Sequence, residues 1–419
     1  MSTPERDGRV AVRPVAAGGA AGGMSKVEFI VLTATMMALT ALSVDVMLPA
    51  LPQIGDALGV DDANDRQTII VTYMLGFSIG QLAYGRLSDR YGRKPVLMVG
   101  MAIFIAGSLV AAMTSDFIVM LLARSVQGLG AAAPRVIAIA LVRDRYVGRE
   151  MARVMSFAMA VFIIIPVLAP SVGQGLMQVG DWRLVFDLLC VAGLVVALWS
   201  GLRLPETVPR NHGEPLPLGA AVRYALETRA TIGYAVAGGL VFGCVLSYVG
   251  SAQQVFVDVY ALGGRFPLAF GATAFMIAVA SLTNAMLVER FGMRRLSQGA
   301  LVGFIAISAL LVAAVPAGEA GFWVFIGLMM PLFFLFGVIA PNFNTLAMEP
   351  QGDNAGMAAS VVGFVSTGIA ALAGGVIGHL FNGTVIPLAL GFLVLGVLAL
   401  LVVIWIEGWR GLFHPGQGG

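Results

Sequence analysis

Three charged residues stand in stretches whose other side chains are foreign to charge. Asp45 lies in Leu42-Ser43-Val44-Asp45-Val46-Met47-Leu48-Pro49-Ala50-Leu51-Pro52. Arg124 lies in Leu121-Leu122-Ala123-Arg124-Ser125-Val126-Gln127-Gly128-Leu129-Gly130, and Arg135 follows it by 11 residues. A carboxylate in hydrocarbon costs several kcal/mol unless it is paired, protonated or in a water-filled cavity. Two readings of Asp45 are open: it faces such a cavity, or the helix ends early at Pro49 and Pro52 and leaves it at the interface. Asp45 precedes Gln53, the expected outer end of its helix, by 8 residues, and Arg124 follows Asp116, the expected outer end of its own, by 8. At 1.5 Å per residue both lie about 12 Å from the outer surface. A cation at that depth either governs when the aspartate holds its proton or serves as the structural half of an ion pair. Arg135 returns to nearly the same helix face as Arg124, offset by about 20°. It either lines a cavity or snorkels and serves packing.

Other chemistry lacks support. Cys190 and Cys244 both sit inside apolar runs, which argues against a disulfide framework or cysteine metal site. His212, His379 and His414 share no metal-ligand spacing. No phosphate-binding glycine loop and no nucleophile–base pattern is present. The expectation is a protein that is not an enzyme, with no metal and no cofactor.

The elements that must position these residues are set by composition. Of 419 residues 58% are hydrophobic and 11% charged, and mean hydropathy is +0.90. A water-soluble globule could not hide that much apolar surface behind so few charges, and disorder is excluded by the same figures. A bilayer span needs about 20 apolar residues. Twelve such runs begin near Val27, Gln67, Pro95, Phe117, Ala152, Trp182, Thr231, Phe266, Leu296, Gly321, Ala355 and Thr384. Residues 1–24 read as a disordered cytoplasmic tail, and the first run is too long for a signal-peptide core. Residues 203–230, with Pro205, Pro209, Pro215 and Pro217, read as a cytoplasmic linker. That linker separates an N-terminal six-helix bundle, 25–202, from a C-terminal one, 231–408, and 409–419 form a second cytoplasmic tail.

With the amino terminus inside, twenty of the 25 lysines and arginines fall on the cytoplasmic side. Only Arg66, Arg183 and Arg265 fall outside, so both termini are expected in the cytoplasm. The halves also repeat. A shift of 200 positions lays Asp89-Arg90-Tyr91-Gly92-Arg93-Lys94 on Glu289-Arg290-Phe291-Gly292-Met293-Arg294, each after the second span of its half. Two bundles in a parallel repeat suggest a transporter that rocks about a site between them.

The string Gly85-Arg86-Leu87-Ser88-Asp89-Arg90-Tyr91-Gly92-Arg93-Lys94 resembles the signature loop between helices 2 and 3 of the major facilitator superfamily. A merely basic cytoplasmic turn would explain its charges but not the acid four residues after Gly85. In the second half Ala285 and Met293 break the pattern. The resemblance covers about residues 25 to 408 and implies twelve helices in two six-helix bundles. It also implies a latch, made of Gly85, Asp89, Arg90, Gly92, Arg93 and Lys94, that holds the halves together when the carrier is open to the outside. Asp89 would sit near the amino end of the eleventh helix, around Ala355, where the helix dipole favours an anion.

A narrower resemblance rests on the first, second, fourth and fifth helices. An Asp before a Leu-Pro-x-Leu-Pro segment, here Asp45 and Leu48 to Pro52, resembles the first helix of the Bcr/CflA-type drug:proton antiporters. Arg124 followed by Gln127-Gly128 resembles their fourth-helix motif. Pro166-Val167-Leu168-Ala169-Pro170-Ser171-Val172-Gly173-Gln174-Gly175 partly matches the antiporter motif, usually Gly-Pro-x-x-Gly-Gly, with Ala169 and Gln174 departing from it. The resemblance makes Asp45 and Arg124 the proton-coupling pair and Pro166, Pro170 and Gly173 the antiporter motif. Met47, Tyr73, Gln127, Arg135, Tyr248, Gln253, Asn342 and Asn344 are the substrate-cavity candidates, set against the alternative that polar groups inside spans bond across helices for stability alone. Phe333, Phe334, Phe336 and Phe343 are read as packing or lipid-facing residues.

The resulting expectation is a proton-coupled exporter of small, largely apolar drugs or antibiotics in the bacterial inner membrane, working by alternating access. Protons are its coupling ion. Its partners are a small-molecule substrate and lipid, with no nucleic acid, and the chain acts as a monomer. A carrier of one metabolite, such as an amino acid, sugar or short peptide, is the alternative. An integral-membrane enzyme would need a nucleophile, metal cluster or acid–base pair that the sequence does not offer.

Overall fold

The computed structural model describes residues 24–206, 218–314 and 321–411, and every regular element among them is helical. In the first half these are α1 (Lys26–Asp45), α2 (Leu51–Ala57), α3 (Thr68–Tyr91), α4 (Arg93–Met113), α5 (Phe117–Arg145), α6 (Gly148–Val179) and α7 (Arg183–Arg203). After α8 (Leu218–Glu227) come α9 (Arg229–Gln253), α10 (Phe266–Phe291), α11 (Met293–Ala314), α12 (Phe322–Met348), α13 (Ala355–His379) and α14 (Ile386–Gly411). Twelve helical stretches among the described residues are long and apolar enough to cross a bilayer. Helix is the form that lets such a segment satisfy its own backbone polar groups away from water.

Local chemistry marks the ends. Ser25 caps α1 by accepting from the Glu28 amide at 3.1 Å, and Asp116 caps α5 by accepting from the Val119 amide at 2.9 Å. The turn from α3 to α4 is made at Gly92 with φ of 99°, and the turn from α10 to α11 at Gly292 with φ of 76°. Those two positive angles are 200 residues apart, so the repeat seen in the residues is also a repeat of backbone shape.

The first span departs from the expected single helix. Regular α-helix stops at Asp45, a tight turn covers Leu48–Ala50, and α2 carries the span on to Ala57 rather than Gln53. Pro49 and Pro52 each sit in the first turn of the segment they enter, where a missing amide hydrogen costs nothing, so they restart the helix instead of ending it. Helix α6 runs unbroken through Pro166 and Pro170. Helix α8 occupies part of the expected 203–230 linker, of which 207–217 lie outside the described residues. The expected tail at 1–24 lies outside them up to residue 23, and α14 continues past residue 408 to Gly411, with a break in helical geometry at Gly408.

Helices α1 and α3 to α7 pack with one another, and α9 to α14 do the same. The two bundles meet along α3 against α13 and α6 against α10. Small residues set the closest crossings. A Cβ at Gly76 would lie 1.9 Å from the Ser125 carbonyl oxygen, and one at Gly128 would lie 1.9 Å from the Tyr73 carbonyl oxygen. Between bundles, a Cβ at Gly85 would lie 2.1 Å from Ser360 Oγ. Backbones approach this closely only where a side chain is missing.

Gly76→Ala and Gly128→Ala are expected to lower thermal stability in detergent, each by about 1–3 kcal/mol as an overpacked contact. Gly175→Ala, where a Cβ would meet nothing within 4 Å, serves as the control and should leave the unfolding temperature unchanged. Intrinsic fluorescence melts of the purified chain read all three.

Candidate functional site

Arg124 is wholly buried, and every direction of its guanidinium is used. Its Nε donates to the Ile69 carbonyl at 3.4 Å, its Nη2 to the Ser43 carbonyl at 3.1 Å, and its Nη1 to Gln127 Oε1. Tyr73 lies under its plane at 4.4 Å and Phe186 stands at 5.8 Å. Gln127 in turn donates to Ser108 Oγ at 2.7 Å. One side chain from α5 thereby engages α1, α3 and α7, and reaches α4 through Gln127. A planar fork with several donors is the cation best suited to such a seat.

Asp45 is 5% exposed, at the point where α1 breaks. It is buried, as the cavity reading requires, and it is also the end of regular helix, as the interface reading requires. The expected ion pair is not formed. Among the described residues Asp45 makes no salt bridge or hydrogen bond through its carboxylate, and Arg124 spends its Nη2 on the Ser43 carbonyl two residues earlier. Arg124 thus reaches α1 at nearly the level of Asp45, although the span's outer end lies at Ala57 rather than Gln53, and its guanidinium does not point to the carboxylate. It is drawn to the Tyr73 ring and to backbone carbonyls, whereas α1 turns Asp45 elsewhere. Gly173 of α6 reaches the same break: a Cβ there would lie 2.0 Å from the Val46 carbonyl oxygen and 3.2 Å from Pro49 Cδ. The glycine of the partial antiporter motif thus lets α6 close upon the residue after Asp45.

Tyr73 joins these groups. Its hydroxyl donates to the Thr40 carbonyl at 3.4 Å, and its ring carries the Arg124 guanidinium at 4.4 Å. Its ring stacks on Phe77, and Arg135, half-buried, stands 5.9 Å from the Phe77 ring. Met47 is buried at the head of the turn after Asp45.

Three of the other cavity candidates, Gln127, Tyr248 and Asn342, are engaged in contacts between helices of one bundle. Gln127 is buried between Arg124 and Ser108. Tyr248 donates to or accepts from Thr273 Oγ1 at 2.6 Å, and its ring is enclosed by Phe256, Phe270 and Phe333. Asn342 donates to Asn284 Oδ1 at 2.6 Å and to the Val338 carbonyl at 2.7 Å, fastening α12 to α10. Asn344 is exposed near the end of α12. Gln253 is half-buried, and its neighbour Gln254 bonds to Gln67 of the first bundle.

The loop after α3 is organised around Arg93. This arginine is 4% exposed and pairs with Asp89 at 2.6 Å and Asp144 at 2.9 Å, and donates to Ser88 Oγ at 2.7 Å. Glu206 accepts from the backbone amides of Arg93 at 2.9 Å and Lys94 at 3.2 Å, where the α4 dipole favours an anion. Arg90 lies over the Tyr91 ring. Asp89 is therefore held inside its own bundle, and among the described residues its carboxylate makes no bond to α13. Gly85 of the same string makes the close crossing to Ser360 of α13.

At the opposite end of the bundles a second set of contacts was not anticipated. Gln67, buried at the start of α3, donates to Gln254 Oε1 at 2.6 Å and to the Gly378 carbonyl at 3.1 Å. Gln254 donates to Asn64 Oδ1 at 2.9 Å, and Asn64 donates to the carbonyls of His379 at 3.2 Å and Phe381 at 2.8 Å. A Cβ at Gly378 would lie 1.7 Å from Gln67 Oε1 and one at Gly250 would lie 2.8 Å from it. The glutamine is a wedge between two glycines of the other bundle. A signal was present: Gln67 and Gln254 are uncharged polar residues flanking apolar runs, with glycines at matching helix ends.

Comparison with known proteins fits this arrangement. The family model described as Major Facilitator Superfamily matches residues 33–374. The uncharacterized MFS-type transporter YdgK of Bacillus subtilis is 28% identical over 82% of this chain and 86% of its own. A bicyclomycin resistance protein homolog of Haemophilus influenzae is 27% identical over 86% and 91%. The multidrug resistance protein MdtL of Klebsiella pneumoniae is 28% identical over 80% and 84%. Among solved structures, the partially occluded inward-open form of the xylose transporter XylE from E. coli superposes with a TM-score of 0.73 at 15% identity, covering 93% of this chain and 98% of its own.

Gln67→Ala is expected to loosen the end of the molecule that carries it while leaving the helices intact. Cysteines placed at Asp61 and Asn382 as a labelled pair should report a wider mean separation in the variant by double electron–electron resonance. Unchanged distances would assign Gln67 to packing alone.

Proposed function

Because the chain belongs to the Major Facilitator Superfamily, we propose that it carries small, largely apolar drugs or antibiotics out of the cytoplasm across the inner membrane in exchange for protons. It is a multi-pass membrane transporter rather than an enzyme. The observation that carries the finer reading is Asp45: a buried carboxylate in the middle of the first span, with no ion-pair partner among the described residues. In a low dielectric a lone carboxylate is far cheaper to keep neutral than charged, so its natural role is to hold a proton and to give it up when water or cargo enters. Arg124 and Tyr73 form a fixed polar floor beside it, and cargo and proton alternate above that floor.

The relatives named for bicyclomycin and multidrug resistance support drugs as cargo and export as direction. The distribution of lysine and arginine supports cytoplasmic termini. In that orientation the Gly92 loop and Arg93 cluster face the cytoplasm, and the Gln67 wedge faces outward. Each end then has its own set of cross-helix contacts to make and break, which alternating access about a midplane site requires. Protons alone serve as coupling ion, and one copy of the chain holds both bundles and the whole route between them.

Asp45→Asn should abolish proton-coupled transport and leave the fold unchanged. Purified protein in detergent is given drug, and proton release is followed with a pH indicator; thermal melts confirm folding. Release equal to that of the wild type would place the proton site elsewhere.

A further inference from the structure

Two neighbouring spans begin with a cation each. Lys26 opens the first span, Lys26–Ala57, and Arg153 opens the fifth, Arg153–Val179. Helices α1 and α6 pack along each other, and as first and fifth spans they start on the same side of the bilayer. Between their starts lies a groove of about 410 Å³. Buried Val154 is its floor, and exposed Val27, Val31 and Phe157 are its apolar walls. Lys26 and Arg153 line it at the span ends.

The α6 wall continues beyond the groove. Phe157, Val161, Ile164, Leu168 and Val172 are all exposed, and steps of three and four residues keep them on one helix face. At 1.5 Å per residue the stripe covers about 22 Å, most of the thickness of a hydrocarbon core. A face that exposes apolar side chains over that length suits acyl chains rather than an aqueous passage. Arg153 stands four residues before Phe157, at the head of the stripe.

The head of the groove is positive. Lys26 pairs with Glu150 and lies 5.6 Å from the centre of the Tyr146 ring, which Arg145 shares at 5.9 Å. Glu28 and Asp144, the next acids along α1 and α5, are engaged by Arg203 and Arg93. Lys26, Arg145 and Arg153 are thus set against Glu150. A cationic head above an apolar slot is the complement of a molecule with an anionic head and long apolar chains.

We infer that this groove binds an anionic phospholipid of the phosphatidylglycerol type, taken from the leaflet on the amino-terminal side. The phosphate lies between Lys26 and Arg153, where the planar fork of the arginine suits phosphate oxygens. The acyl chains lie against Val27 and Val31 on one side and along Phe157 and Val161 on the other. The site belongs to the lipid-facing side of the first bundle, so it holds whichever cargo the carrier moves. It joins α1, which carries Asp45, to α6, which packs against α10 of the second bundle.

The test places a bimane label on Val161→Cys, one turn beyond Phe157, in full-length protein carrying Cys190→Ser and Cys244→Ser. The label leaves the groove residues unaltered. The protein is held in phosphatidylcholine nanodiscs that contain a small fraction of a brominated quencher lipid, either phosphatidylglycerol or phosphatidylcholine. Brominated phosphatidylglycerol is expected to quench at a mole fraction roughly fivefold lower than brominated phosphatidylcholine, the factor contributed by one cation at a membrane surface. A label on Val302→Cys, an exposed position on α11, should show no such preference. Lys26→Gln with Arg153→Gln should bring the two lipids level at Val161, with thermal melts confirming the fold. Equal quenching by both lipids in the parent protein would overturn the inference, since the groove would then hold bulk lipid. Quenching by neither would also overturn it, because another occupant fills the groove. A preference that survives the double substitution, or that is equally strong at Val302, would remove the two cations as its cause. If the double variant does not fold, the comparison of lipids and of label positions in the parent protein decides.

Discussion

A guanidinium buried among lipid-surrounded helices must find an acceptor for each of its nitrogens, because an unsatisfied charged group in such a setting costs several kcal/mol. Arg124 meets that demand with the carbonyls of Ser43 and Ile69, with Gln127, and with the Tyr73 ring. Much of the first bundle follows from it. The acceptors come from α1 and α3, the third partner is anchored to α4 through Ser108, and Phe186 of α7 closes the side. Gly76 and Gly128 bring α3 and α5 close enough for the contacts to form. The seat is largely built from backbone carbonyls, so it constrains where helices lie more than which side chains they carry.

The same demand explains the freedom of Asp45. With the cation already satisfied, the carboxylate has no counter-ion to neutralise it and sits where regular α1 stops. The interruption is built by Pro49 and Pro52, which restart the chain, and is covered by α6 through Gly173. A break in a span, a bare carboxylate and a close-packed neighbouring helix are brought together at one level. Helix α6 also packs against α10 of the other bundle.

The two ends of the molecule solve their contacts differently. At the Gly92 end, charge dominates: Arg93 gathers Asp89 and Asp144, and Glu206 caps α4. At the Gln67 end, uncharged amides and carbonyls join the bundles, and glycines admit the wedge. Amide contacts of this sort form and break without leaving a buried charge behind. The backbone repeat between Gly92 and Gly292 shows that the halves share a plan, whereas the charges of that loop are complete in only one of them.

Spans, repeat and the level of the buried charges were legible in the residues, because hydropathy, glycine turns and rise per residue are local or nearly local properties. The twelve runs lie within a few residues of the helices, Gly92 and Gly292 make the turns that their places in the repeat imply, and Asp45 and Arg124 lie at nearly one depth. What tertiary structure alone decided is which way each polar side chain turns. Arg124 faces Ser43 and Tyr73 rather than Asp45, Asn342 spends its amide on Asn284, and Tyr248 is enclosed by aromatic rings, choices made by neighbours far away in sequence. Gln254, at the start of the π-helical turn Gln254–Val259, meets Gln67 across the bundles. Periodicity can assign a residue to a face only while the helix stays regular, and regular helix stops at Asp45 and again at Gln253, just before Gln254.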